Sequence, residues 1–186
     1  MNVLAISGSL RDDSFNRKLL LNAAELLPGG VELELWDGLK AIPPFDEDDE
    51  RFTPPTVTLM RDTLLGADAI LFATPEYNHS IPGQLKNAID WSSRPVATNA
   101  LRGKPVAVIG ASTGAFGAVW AQAELRKVLA AAGARVVDAE LALGFAGRRF
   151  DPEGRLVDDD VRDQLGAVID KLVSEAQVDQ LIASAA

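Results

Sequence analysis

Thr74-Pro75-Glu76-Tyr77-Asn78-His79-Ser80-Ile81-Pro82-Gly83-Gln84-Leu85-Lys86-Asn87-Ala88-Ile89-Asp90-Trp91 is the stretch that decides the fold. The apolar run Ala69 to Ala73 leads into it and reads as a strand buried on both faces. It stops at Pro75. From Glu76 to Ile81 no apolar periodicity is left, and then Leu85, Ala88, Ile89 and Trp91 recur at the spacing of one helical face. Pro82 and Gly83 punctuate the start of that helix. Strand, polar loop and helix in this order make one unit of an open parallel sheet, where ligands bind in loops beyond the carboxyl ends of the strands. A loop that carries Tyr, Asn, His and Ser between prolines is suited to hold a flat polar ring.

The run Pro75 to Gly83, with Leu85-Lys86-Asn87-Ala88-Ile89-Asp90, closely resembles the signature of the NADPH-dependent FMN reductase family. That family includes quinone, azo-dye and chromate reductases with a flavodoxin-like fold. The resemblance implies bound FMN, NADPH or NADH as co-substrate, a small-molecule electron acceptor, and a homodimer or homotetramer.

Read outward from this stretch, the chain alternates strands and helices. Val3 to Ile6 is a β-prone run, and Phe15, Leu19, Leu20, Ala23, Leu26 and Leu27 mark a helical face that Pro28-Gly29-Gly30 ends. Val31, Leu33 and Leu35 alternate with Glu32, Glu34 and Trp36, as in a strand near a sheet edge. Asp37 to Thr56 holds four prolines and the acidic run Asp46 to Glu50, and is expected to be a long surface excursion. A helix from about Val57 to Leu65, with Leu59, Met60, Leu64 and Leu65 inward, returns the chain to Ala69. Ser92 to Arg102 reads as irregular, and Val106 to Ile109 is a further apolar strand. It runs into Gly110-Ala111-Ser112-Thr113-Gly114-Ala115-Phe116-Gly117. A helix from about Val119 to Ala132 follows, then a last strand from Arg135, an Asp151 to Gly154 turn, and a final helix opened by Asp158-Asp159-Asp160. The last ten residues are expected to fray or to pack on a partner subunit. Apolar rather than alternating strands call for a three-layer α/β fold with a five-stranded parallel sheet covered on both faces. Strand order 2-1-3-4-5, the flavodoxin-like order, would gather the loops Ser7 to Ser14, Pro75 to Ile81 and Ala111 to Gly117 around one crevice.

Bulk properties narrow the function. The chain has 186 residues, which suits a single domain. A net charge of −9 disfavours nucleic acid and anionic membranes, which require clustered Lys and Arg. There is no cysteine, hence no disulfide, thiolate metal site or Cys nucleophile. The opening Met1 to Ile6 is too short for a signal peptide or membrane span, and a cytoplasmic setting is expected. The single histidine, His79, excludes any site that needs two.

Each loop carries its own chemistry. Gly8 to Asn16 lies between a strand and a helix start, where backbone N–H groups and the helix dipole favour an anion. Ser9, Ser14 and Asn16 add short donors and Arg11 a charged planar fork, so a terminal monophosphate fits. The family resemblance assigns Ser9, Arg11, Ser14 and Asn16, with Phe15 beside them, to the FMN phosphate. By themselves Ser14 also reads as an N-cap and Arg11 as a solvated loop residue. In the second loop the resemblance places Pro75, Glu76, Tyr77 and Asn78 along the isoalloxazine, and Asn78 can both donate and accept. Glu76 also reads as a residue holding a helix end or a partner subunit. His79 reads as a proton-bearing group or as a packing residue. In the third loop the resemblance turns Ser112, Thr113 and Gly114 toward the flavin, with Gly117 closing the loop. Gly110-x-Ser112-x-Gly114 also matches a hydrolase nucleophile elbow, but that fold needs its histidine after the serine, and His79 precedes it. Trp91 and Trp120 read as core or as parts of a dimer interface.

The reading that unites these features is an FMN-dependent NAD(P)H oxidoreductase serving an acceptor such as a quinone, azo or nitro compound, chromate or free flavin. The cofactor carries the chemistry and no side chain is nominated as catalytic, nor is a metal expected. The rival is a flavodoxin-type electron carrier that does not oxidise NAD(P)H itself.

Overall fold

The computed structural model describes residues 1–185, the side chains of 182–185 excepted. Five strands pair in parallel: β1 (Asn2–Ser7), β2 (Glu32–Trp36), β3 (Ala69–Ala73), β4 (Pro105–Ala111) and β5 (Arg135–Leu143). Their order is β2-β1-β3-β4-β5, the flavodoxin-like order that was expected. The inner strands are apolar at successive positions because both faces are covered. Leu4, Ile6, Ile70, Phe72, Val106 and Val108 enter one apolar cluster, while Val3, Ala5, Leu71, Ala107 and Ile109 enter the other.

The first cluster is closed by α2 (Pro55–Gly66), α3 (Gly83–Ser92) and α4 (Val119–Ala131), the second by α1 (Phe15–Ala24) and α5 (Asp159–Ala185). Helix α1 starts at Ser14, whose extended backbone and Oγ, accepting from the Arg17 N–H at 3.3 Å, make an N-cap. It ends at Ala24, so Leu26 and Leu27 lie beyond the helix while still packing on the second cluster. In α2 the seam is Val57, Met60 and Leu64. Leu59 and Leu65, expected inward, are exposed: at 100° per residue Leu59 falls opposite that seam and Leu65 on its flank. Helix α5 opens with Asp159 and Asp160 at the positive end of its dipole. Of the last ten residues, 177–185 continue α5, and Ala186 lies outside the described residues.

The stretch from Asp37 to Thr56 runs along the surface as expected, with Asp46 to Asp49 and Phe52 exposed. It forms two short 3₁₀ turns, Gly38–Ala41 and Glu47–Phe52, and buries Leu39 and Ile42 near its start. Helix α3 holds it by satisfying its carbonyls. Gln84 Nε2 donates to the Leu39 and Ile42 carbonyls, and Asn87 Nδ2 and Trp91 Nε1 both donate to that of Pro43. Phe45 meets the Trp91 ring edge-on at 4.9 Å. Trp91 is therefore a core residue, whereas Trp120 is half-exposed. Among the described residues no helix is long and apolar enough to cross a membrane.

Trp91 supplies both apolar volume and the carbonyl partner for this covering segment. Trp91→Ala is expected to cost about 3–5 kcal/mol in urea unfolding and to open the chain near Asp46 to limited proteolysis. Wild-type protection there would show that the segment is held by something else.

Candidate active site

Parallel strands bring the β1–α1, β3–α3 and β4–α4 loops to one end of the sheet. A cleft of about 130 Å³ opens between them, lined from the first loop by Ser9, Arg11, Ser14, Phe15 and Asn16, from the second by Pro75, Glu76 and Tyr77, and from the third by Ala111, Ser112 and Thr113. Ten of the residues singled out from the sequence thus share one cleft. Asn78, Gly114 and Gly117 are not among its lining, and Ala111 is an addition.

The first loop leaves its anion-binding groups free. The Arg11 guanidinium makes no side-chain hydrogen bond or ion pair among the described residues, and the first turn of α1 contains no acid. The Ser14 Oγ accepts from Arg17 N–H, which leaves its own O–H to donate. Asp13 is neutralised locally: Lys18, by hydrogen bond and charge, holds its carboxyl below the usual carboxylate range, with Arg11 adding a smaller pull. Donors, a helix start and a free guanidinium form a set that fits a phosphate monoester.

Asn16 is engaged within the fold as well as lining the cleft. Its Nδ2 donates to the Ala111 carbonyl at 3.0 Å and its Oδ1 accepts from the Ala111 N–H at 2.9 Å. The amide is thereby held by the end of β4, with the second N–H of Nδ2 left to donate.

The second loop is a two-residue hairpin. Tyr77 and Ser80 exchange backbone hydrogen bonds, both 3.0 Å, and Asn78 and His79 between them have φ of 53° and 59°. Both central residues with positive φ are the mark of a type I′ turn. That turn carries Asn78 and His79 to the tip and away from the cleft, whereas Pro75 to Tyr77 stay along it. Asn is common at such a position, and Asn78 was the one signal of this turn in the sequence. The hairpin is fastened to α4 at several points. Glu76 Oε2 accepts from the Trp120 and Ala121 N–H groups at 3.1 and 3.2 Å, capping a helix whose own N-cap, Ala118, offers no side-chain acceptor. Ser80 Oγ donates to Glu124 at 2.6 Å. His79 stands edge-on to Trp120 at 4.8 Å, and its Nδ1 is 3.6 Å from Glu76 Oε1. Of the alternatives for Glu76, it holds a helix end; His79 packs on an aromatic ring.

The third loop is locked by a segment that sequence reasoning did not connect with the site. The Leu143 carbonyl accepts from Ser112 N–H, and Phe145 and Ala146 N–H groups donate to the Gly114 and Ser112 carbonyls. Contact is so close that a Cβ on Gly144 would lie 2.2 Å from the Ala115 oxygen, and one on Gly117, with φ of 59°, would lie 2.3 Å from Ala142. Gly117 thus serves the packing of loop against β5. Ser112 Oγ accepts from Gly114 N–H at 3.1 Å, and His79, bound to the second loop and α4, is not its partner.

Comparison with known proteins follows this geometry. The chain is 45% identical over 165 residues to an NAD(P)H-dependent FMN reductase of Pseudomonas aeruginosa, covering 88% of each chain. It is 38% identical over 183 residues to a quinone reductase of Pseudomonas putida, covering 97% of each. Among solved structures, the flavoenzyme NAD(P)H:(acceptor) oxidoreductase FerB of Paracoccus denitrificans superposes with a TM-score of 0.86 at 35% identity, over 95% of this chain and 97% of that one. The family described as NADPH-dependent FMN reductase matches residues 1–148, and with a convergent cleft whose free donors suit a flavin phosphate, the chain belongs to that family.

Proposed function

We propose that this protein is an FMN-dependent NAD(P)H oxidoreductase that delivers electrons to quinones. The observation that carries the reading is the union of the three loops in one cleft with Arg11, whose guanidinium is unpaired among the described residues, in the loop before α1. Bound FMN supplies two-electron chemistry: NAD(P)H, a proton and a quinone give NAD(P)⁺ and the hydroquinone.

The chain's own residues bind and orient. Arg11, Ser9, the Ser14 hydroxyl and the first-turn N–H groups of α1 hold the phosphate. Asn16 keeps the floor of the cleft fixed by tying α1 to Ala111. Pro75 to Tyr77 form one wall for the flavin ring and Ser112 with Thr113 the other, and both walls are anchored, the first through Glu76 and the second through Phe145 and Ala146. Ligand pockets commonly run to about 300–1,000 Å³, so a cleft of about 130 Å³ holds only part of FMN and leaves a ring face open. An open face is what two successive partners, a nucleotide and a quinone, require. The same reading includes azo, nitro, chromate or free flavin acceptors, a cytoplasmic setting and a homodimer or homotetramer. Exposed Leu59, Leu65, Phe116 and Trp120 support an assembly.

The deciding experiment is an anaerobic absorbance spectrum of the FMN-loaded protein before and after NADPH and then a quinone. Bleaching by NADPH and recovery with the quinone are expected; flavin that binds but stays oxidised would favour an electron carrier. Arg11→Ala should weaken FMN by about ten- to hundredfold, the worth of a charged hydrogen bond, and leave riboflavin almost unaffected. Equal loss of both ligands would remove Arg11 from the phosphate. Asn16→Ala strands two buried backbone groups at Ala111 and should destabilise the fold by about 1–3 kcal/mol for each, measured by urea unfolding of the FMN-free protein. An unchanged midpoint would show that the clasp contributes nothing.

A further inference from the structure

Away from the cofactor cleft, a cavity of about 380 Å³ lies between the ends of α3 and α4 and shares no lining residue with the cleft. A volume of that order is within the range of small-ligand sites, about 300–1,000 Å³. Lys127, on one of its walls, comes six residues after Ala121, where Glu76 caps α4, a distance of about 9 Å along the helix.

The lining is of two kinds. Ile89 from α3, Val96 from the loop that follows, and Val128, Ala131 and Ala132 from the end of α4 make an apolar floor. Val96 is 58% exposed, so an apolar body laid over it would remove hydrocarbon surface from water. Around this floor stand four cations, Lys86, Arg94, Arg102 and Lys127, against a single acid, Asp90. The surplus runs against a chain charge of −9. Pairing removes half of it. Lys86 Nζ donates to both Asp90 oxygens at 2.7 and 2.8 Å, and Arg94 pairs with Glu47 at 2.9 Å and with Glu50 at 3.5 Å. Arg102 keeps its charge, because its side chain donates only to the neutral Val96 carbonyl, at 2.9 Å. Lys127 has no hydrogen-bond or ion-pair partner among the described residues. Two unanswered cations beside an apolar floor attract an anion that is itself partly apolar.

Helix ends do not account for these two cations. The negative ends of α3 and α4 point toward the cavity and favour positive charge, but their last carbonyls are already bonded. Those of Ile89 and Trp91 accept from the Ser93 and Arg94 N–H groups, and those of Val128, Leu129 and Ala130 from the Ala132, Ala134 and Gly133 N–H groups. The wall that carries Val96 and Arg102 is also fixed in advance. Buried Asn99 donates from Nδ2 to the Val96 and Ala132 carbonyls, both at 3.1 Å, and accepts at Oδ1 from the Leu101 N–H. A wall ordered in this way loses little freedom when a ligand settles on it.

We propose that this cavity binds a small organic anion with an apolar body, a ring carboxylate, whose charged group meets Arg102 and Lys127 while the ring covers Val96, Val128 and Ala132. Both halves are needed: an inorganic anion leaves the floor bare, and a neutral ring leaves the cations unanswered. A guanidinium is suited to grip a carboxylate through two parallel N–H groups. The site is independent of the oxidoreductase reading, and it lets the protein hold an organic acid while the cleft stays open to its own ligands.

The test is calorimetric titration of the FMN-loaded protein, under saturating FMN, with 2-naphthoate and with 2-naphthalenemethanol, its neutral analogue. The acid is expected to bind about tenfold tighter or better, the worth of a hydrogen bond to a charged group. Lys127→Glu, at an exposed position, should erase that difference with FMN affinity unchanged, and Arg102→Gln should reduce it. Val96→Ser should weaken both ligands severalfold. Equal binding of acid and alcohol to the wild type, an unaltered difference in Lys127→Glu, or a shift of the flavin absorbance band on titration, which would put the ring on the flavin, would each overturn the assignment. Absence of binding would overturn it as well, and a change in sedimentation on Lys127→Glu would then identify a second copy of the chain as what covers this face. Bleaching of the flavin by NADPH is read separately, so the failure of this site and the failure of the electron-transfer reading cannot be confused.

Discussion

The amide of Asn16, bonded at both ends to the backbone of Ala111, is the contact on which the arrangement of the site depends. It is buried and spans 95 residues of chain. Ala111 is the last residue of β4 and the first of the third loop; β5 pairs with it on one side, but the β3 ladder stops at Ile109, and Asn16 completes its N–H and C=O. A side-chain amide is the one neutral group that offers a donor and an acceptor in the right spacing to mimic a strand edge. By doing so, Asn16 sets the distance between the start of α1, which offers positive charge, and the loop that closes the opposite side of the cleft. Removing either bond exposes the free energy of an unsatisfied buried group.

The second and third loops depend on each other in a comparable way. Helix α4 begins after Ala118, a residue with φ of 62° and no capping side chain. The acceptor that its first N–H groups need comes from Glu76, far away in sequence and close in space. A carboxylate at a helix N-terminus is favoured by the dipole as well as by the hydrogen bonds. The hairpin therefore cannot shift without uncapping α4, and α4 cannot shift without freeing the hairpin. Walls that hold each other before a ligand arrives lose less conformational freedom on binding it. Tyr77, half-exposed on this hairpin, then presents aromatic surface to a cleft whose backbone is already ordered.

Electrostatics works by local exception. An acidic chain repels polyanions as a whole, but paired charges cancel over a few ångströms while unpaired ones do not. Lys18 covers Asp13, and Arg17 covers Asp37. What survives this pairing is a small positive region made of Arg11, Lys40 and the start of α1, at the same end of the sheet as the cleft.

Much of the architecture was legible from local pattern alone. Apolar runs such as Ala69 to Ala73 could only be strands covered on both faces. The spacing of Leu85, Ala88, Ile89 and Trp91 fixed the buried side of α3, and both follow from periods of two and 3.6 residues that any short segment reveals. The order of strands, and with it the gathering of loops 9–16, 75–77 and 111–113, was what the family resemblance implied, since alternation alone fits more than one doubly wound order. Tertiary structure decided what local pattern could not. It fastened the first part of the Asp37 to Thr56 excursion to Gln84, Asn87 and Trp91, because the partners of its carbonyls lie some forty residues away. It moved Leu59 to the solvent side of α2, where a one-position difference in helical phase outweighs apolarity. It gave Asn16 the task of a clasp on Ala111 and made Glu76 a cap, since an acceptor's task is set by which N–H groups fold against it. Composition and period report what a residue can do; only the closing of the chain determines which partner reaches it first.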